Sequence, residues 1–271
     1  MYLENNVIFF HEYCLYLTNK YIIINRRKSM NKSKYKRDII EAIESINPGI
    51  TFRDAYPRVI ELLAITIDST IGELSEERNQ AYRNNLQYLN NNQAVYHVMD
   101  LISEAITNNP FEDILGEVYM EKVSTKGTRE KGQVFTPKNV AKMMAQMGND
   151  KKENIEEIIQ NQGGYTISDS CCGSGVIGLA TAEHLNEMDS TFLRKTIFTA
   201  EDIDRVVAMM CYIQYSLNTL MGEIIVHDAL RNPTEYKEIW YTPAMKLAIL
   251  PKEAKTKLGE TFKAMLESIP A

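Results

Sequence analysis

The segment Asp169-Ser-Cys-Cys-Gly-Ser-Gly175 constrains the fold of this chain more than any other. Before it stands Tyr165-Thr-Ile-Ser, a short β-type run, and after it an apolar stretch, Val176 to Leu185, with helical spacing. A strand that turns through glycines into a helix is the opening unit of a parallel α/β sheet. Ligands of such sheets bind beyond the carboxyl ends of the strands, where glycine lets the backbone come close because no Cβ intrudes.

The pattern continues downstream with a strand from Thr196 to Ala200, a helix from Arg205 to Leu220 and a strand from Glu223 to His227. Upstream, from about 34 to 127, the signal is helical instead. Ile39, Ile43 and Ile46 form one stripe, and Val59, Ile60, Leu63 and Ile67 a second, with Pro57 suited to the first turn of that helix. Leu86, Leu89, Val95, Val98, Leu101, Ile102 and Ile106 predict two more helices broken at Asn90-Asn91-Asn92, and Pro110 opens another over Phe111 to Tyr119. Residues 121–132 are polar and punctuated by glycine, as in a linker. The expected organisation is an extension or mis-called leader over 1–29, a helical domain over 30–128 and a partial sheet domain over 129–271. Met30 is the expected natural start.

Composition narrows the class. A formal charge of −6 over 271 residues gives no global signature for nucleic acid, so any such contact rests on local patches. Arg26, Arg27, Lys28, Lys32, Lys34, Lys36 and Arg37 form one basic run, more simply a solvated face; Lys122, Lys126, Arg129 and Lys131 form another beside the glycine loop. The four cysteines contain no CxxC pair and the four histidines are scattered, so no metal site is expected. His11, Glu12, Asn19 and Lys20 interrupt the apolar run from Val7 to Ile24, which argues against a spanning helix. A cytoplasmic protein, with no membrane contact, is expected.

The ligand of the glycine loop can be argued from charge. Gly173-x-Gly175-x-x-Gly178 fits the dinucleotide fingerprint, but that fingerprint expects an acidic residue about 20 positions on, and Glu201 lies later. Asp169 discriminates better: a carboxylate so close repels a pyrophosphate and attracts the amino group of a methionine moiety. This favours S-adenosylmethionine without eliminating a dinucleotide. Glu201, at the next strand end, suits ribose hydroxyls, while Asp202 or Asp204 suits a helix N-cap. Asp228 suits either an adenine amino group or a solvated loop.

Gly132-Gln-Val-Phe-Thr-Pro137, followed by Val140, Met143, Met144 and Met147 at helical spacing, resembles the Gly-Gln-Phe-Tyr-Thr-Pro motif of type I modification subunits and related N6-adenine DNA methyltransferases. Asp113-Ile-Leu-Gly-Glu-Val-Tyr119, Asp169–Gly175 and Ala200-Glu-Asp-Ile-Asp204 resemble the family's other motifs in the family's order. The resemblance implies a partial, mostly parallel Rossmann-like methyltransferase sheet preceded by helices. It places Phe135, Thr136 and Pro137 at the methionine end of S-adenosylmethionine, Asp169 and Gly173 on its amino-acid part, Glu201 at the ribose and Asp228 at the adenine, with Cys171, Gly175 and Asp202 also among the cofactor-binding residues. The plainer alternatives are a core aromatic for Phe135 and a helix start for Thr136-Pro137. Cys171 and Cys172 are then loop residues and not nucleophiles.

The family's Asn-Pro-Pro-aromatic motif has no counterpart in this sequence. The best-placed substitute is Thr242-Pro243-Ala-Met245, a degenerate catalytic pair in which threonine lacks the reach of an amide or carboxylate acceptor. Trp240 and Tyr241 are stacking residues or a buried strand. Two functions follow as expectations: a DNA adenine methyltransferase-like protein of a restriction–modification system, weak or inactive alone, or a truncated non-catalytic mimic that obstructs such a complex. The expected partners are DNA and a specificity or modification subunit. An exposed sheet edge is expected to be covered by the amphipathic stretch from Glu253 to Ile269, by the N-terminal helices, by a second copy or by another protein.

Overall fold

The computed structural model describes residues 32–122, 136–148, 151–231 and 235–251. Five helices come first: α1 (Lys32–Ser45), α2 (Phe52–Asp68), α3 (Glu76–Leu89), α4 (Asn92–Asn108) and α5 (Ile114–Lys122). Side-chain caps set three of the starts, with Thr51, Ser75 and Asn91 accepting from the amides of Asp54, Arg78 and Ala94. The asparagine run breaks the chain because Asn90 takes a left-handed φ of 54° and Asn91 then caps α4. Pro57 does not lie in a first turn: α2 begins five residues earlier at Phe52, so the proline sits inside the helix.

After α6 (Lys138–Gly148) and α7 (Lys152–Gln162) the chain alternates: β1 (Tyr165–Asp169), α8 (Val176–Met188), β2 (Thr196–Asp202), α9 (Arg205–Leu217), β3 (Met221–Val226), β4 (Glu238–Tyr241) and α10 (Pro243–Ile249). The strand order is β1-β2-β3-β4. The first three strands are parallel and β4 runs antiparallel to β3, so the sheet is mostly parallel, as expected. Two right-handed crossovers in one direction put α8 and α9 on the same face. Accordingly, Tyr215 of α9 meets Phe198 of β2 edge-on at 5.7 Å, and a Cβ on Gly178 of α8 would run into the Tyr215 hydroxyl.

The N-terminal helices stack behind α9. Tyr56 of α2 is fully buried there, donating to the Leu115 carbonyl at 2.9 Å and touching Met210 Sδ. One hydrophobic core runs from Tyr35 to Trp240, crossing the position expected to divide two domains. At one end of the strand order the helical layer reaches β4, where Arg78 donates to the Ile239 carbonyl at 2.9 Å. Among the described residues β1 is an outer strand, with Thr166 and Ser168 exposed. The 1–29 segment, Met30 and the stretch from 253 to 269 lie outside the described residues. No helix among those described is long and apolar enough to cross a membrane.

Candidate functional site

Parallel register brings the carboxyl ends of β1, β2 and β3 side by side, because Asp169 pairs with Ala200 and Asp202 with Val226. Asp169, Glu201, Asp202, His227 and Asp228 therefore line one rim. The glycine loop folds over it. Gly173 and Gly175 take left-handed φ values of 54° and 93°, which L side chains rarely adopt. The loop is pinned to β2 by Cys172 N donating to the Glu201 carbonyl and Gly173 N donating to Asp202 Oδ2, at 2.8 and 2.9 Å.

The rim carboxylates have different duties. Asp202 accepts Gly173 N on one oxygen and Asp204 N on the other, so it shapes the loop. Asp204 is the helix cap, accepting from Val206 N. Glu201 Oε2 lies 2.9 Å from Nε2 of the buried His227, which holds that carboxylate in place. Asp228 Oδ1 accepts from Leu230 N and Arg231 N and so closes its own turn. Asp169 is the exception. Oδ1 accepts from Cys171 N at 3.2 Å, while Oδ2 is buried with no hydrogen-bond partner. Burial, and then the Asp202 and Glu201 charges, push the Asp169 carboxyl above the usual carboxylate range against the lowering effect of the Cys171 amide. Asp202 is raised too, chiefly by burial. A buried carboxylate oxygen without a hydrogen-bond partner is costly unless a donor or cation meets it.

Cys171 is exposed and Cys172 buried. The hydrogen-bonded Cys211 thiol and burial hold Cys172 well above the ordinary thiol range, so it carries no thiolate. Thr136 and Pro137 immediately precede α6, whose first turn closes on the Pro137 carbonyl through Val140 N and Ala141 N. The stripe Val140, Met143, Met144 and Met147 is exposed, and α6 buries Ala141 and Ala145 instead. Phe135 lies outside the described residues. Of the basic residues, Lys36 pairs with Glu121 and Lys122 with Glu44, both on the helical layer. Among the described residues no cluster of side chains suits a metal ion.

The catalytic pair expected at Thr242 and Pro243 is corrected by the topology. Tyr241 pairs with Glu223, so β4 ends where β3 begins. Thr242 thus lies at the amino end of the parallel strands, on the order of 15 Å from the rim at about 3.3 Å per strand residue. It is fully buried, donating to the Leu220 carbonyl and accepting from Gly222 N and Met245 N, and Pro243 is the first residue of α10. Trp240 is likewise fully buried, against Tyr212 and under the Arg78 guanidinium. Three rim residues were missed in sequence: His227, and the exposed Ile203 and Leu230, which follow Asp202 and Asp228 and put apolar surface beside them. Their only sequence signal is adjacency to a strand-end carboxylate.

Fold and rim together define a class: an α/β sheet whose parallel strand ends carry a glycine loop and a row of acidic groups. Residues 111–245, about half of the chain, match the N-6 DNA methylase family. Over those residues the chain belongs to that family. None of the curated proteins matches it.

Proposed function

We propose that the chain is the cofactor-binding part of a DNA adenine-N6 methyltransferase of the restriction–modification type, and that the acceptor for the target adenine comes from a partner chain. The carrying observation is Asp169 Oδ2, a buried carboxylate oxygen left without a partner beside two left-handed glycines. The residues fit S-adenosylmethionine: Asp169 takes the methionine ammonium, Gly173 and Gly175 let the loop backbone approach, Glu201 accepts from the ribose hydroxyls and Asp228 faces the adenine between Ile203 and Leu230. Thr136-Pro137 opens α6 beside this end. Bound there, the cofactor supplies an electrophilic methyl group on a sulfonium. This chain's residues hold and orient it; among the described residues Thr242, the expected acceptor, lies at the opposite end of the sheet.

The partner is a modification or specificity subunit that completes the site against the β1 side of the sheet and brings DNA to it, in the cytoplasm. A non-catalytic mimic that occupies a subunit's place is the second reading, favoured by the position of Thr242 away from the rim. Calorimetry with S-adenosylmethionine, followed by methyl transfer to unmethylated DNA with and without candidate subunits, separates the two. Binding with transfer only in the complex supports the first reading; binding with no transfer in any combination leaves the mimic. Absence of binding sinks both.

A further inference from the structure

Asp113 stands just before α5 and is 7% exposed. Its carboxylate reaches out of the helical layer to the glycine loop. Oδ2 accepts from Ser174 Oγ at 2.7 Å, and Oδ1 accepts from Gly116 N and from Gln214 Nε2, each at 2.9 Å. Gln214 of α9, fully buried, closes the arrangement by donating to the Ser174 carbonyl at 2.8 Å and accepting from Leu115 N at 3.1 Å. Ser174, itself fully buried, sits between the two left-handed glycines. A Cβ on Gly116 would overlap both the Asp113 carboxylate and Ser174 Oγ, so the absence of a side chain there is what lets α5 close on the loop.

The loop is therefore held from two sides. Asp202 and the Glu201 carbonyl grip it from the sheet, and Asp113 with Gln214 from the helical layer. Three neutral donors converge on Asp113. A buried carboxylate so placed adds less stability than a well-packed apolar group of its size, and what it contributes is geometry.

We propose that Asp113 is a positioning residue for the cofactor site: from the helical layer it fixes Ser174, and through it the Gly173–Gly175 backbone, in the conformation that receives the amino-acid end of S-adenosylmethionine. This rests on the cofactor reading above. It makes cofactor affinity a property of the helical layer as well as of the sheet.

The test uses the full chain and the variants Asp113→Asn, Asp113→Ala and Ser174→Ala, with two readouts: amide exchange over 170–176 without ligand, and S-adenosylmethionine affinity by calorimetry. Asp113→Asn keeps an acceptor for Gly116 and Gln214, and the Ser174 hydroxyl can turn to accept from the new amide. It is expected to stay within about 3-fold of the parent affinity, and Asp113→Ala to lose about 10-fold or more. Faster exchange at Gly173–Gly175 with unchanged protection in β2 and β3 is expected alongside. Ser174→Ala cuts the same link from the loop side and is expected to match Asp113→Ala, which keeps the question open to test if the latter does not fold. Parent-like loop exchange and affinity in a folded but less stable Asp113→Ala or Ser174→Ala overturns the proposal, as does Asp113→Asn behaving like Asp113→Ala. If the parent chain itself binds no S-adenosylmethionine, the cofactor reading fails, and the exchange data alone decide whether Asp113 holds the loop.

Discussion

Asp68, at the end of α2, is 4% exposed and lies 2.5 Å from both Arg78 Nη1 and Lys246 Nζ, whereas Asp169, at the end of β1, has one oxygen on a single backbone amide and the other on nothing. The Lys246 contact is an ion pair more than a directed hydrogen bond, since that Asp68 oxygen has no aligned donor. Arg78 extends the first arrangement, stacking on Trp240 at 3.7 Å and donating to the Ile239 carbonyl, while Arg205 bridges Glu61 and Glu238 nearby. Asp68, Arg78, Lys246, Arg205, Glu61 and Glu238 line a cavity of about 600 Å³ between the helical layer and β4, and these six pair with one another. At the rim of β1–β3 Arg231 Nε reaches Asp228 Oδ2 at 3.9 Å and His227 holds Glu201, but among the described residues no cation pairs with Asp169. A structural charge is neutralised within the fold; a charge kept for a ligand is left unanswered.

The difference can be broken in stages. Asp68→Ala leaves Arg78 and Lys246 without their buried partner, so unfolding in urea should show a loss of about 3–5 kcal/mol. Cofactor affinity of the folded fraction should not change; a parallel fall would mean that the two regions are coupled. Asp169→Asn should do the reverse. S-adenosylmethionine affinity should fall about 10- to 100-fold in calorimetry, through loss of a charge-assisted contact, while the ligand-free chain gains about 1 kcal/mol from removal of an unpaired buried charge.

Thr242→Ala removes a helix cap and two buried hydrogen bonds to the β3 start, and should cost about 1–2 kcal/mol with cofactor affinity intact. Loss of methyl transfer without loss of stability would contradict the position of Thr242 at the far end of the sheet. The smallest effect is in pH. Asp169 and Asp202 titrate above the ordinary carboxylate range in the folded chain. Their contribution to stability is therefore full below about pH 4 and is lost as pH rises through the folded values. Cofactor affinity should rise over the same window as Asp169 ionises, and Asp169→Asn should flatten that rise.

The sequence carried the rim well because its signals are local. The strand, the glycines and the helix from Val176 are contiguous, and the ends of β2 and β3 announce themselves by a carboxylate after an apolar run. The stripes at Ile39 and Val59 likewise revealed helices, since a 3.6-residue period needs no distant partner. Strand direction does not have that property. Glu238–Tyr241 looks the same whether it continues the parallel sheet or turns back along β3, and only tertiary pairing decides, which is why Thr242 seemed well placed. The Asp113–Ser174 bond spans 61 residues and the Glu201–His227 contact 26, and neither leaves a periodic trace. Helix α7 escaped notice because Lys152–Gln162 buries only Ile155 and Ile159. Pro57 misled by type: proline favours a first turn, but the Thr51 cap starts α2 earlier.

The central claim is that the unanswered oxygen of Asp169 receives the ammonium of S-adenosylmethionine. The most direct measurement is calorimetric titration of S-adenosylmethionine into the parent chain and into Asp169→Asn at neutral pH, with Asp68→Asn as the control at the other region. The account predicts binding to the parent and to the control, with affinity about 10- to 100-fold weaker in Asp169→Asn. Equal affinity in all three, or no binding to the parent, would contradict it.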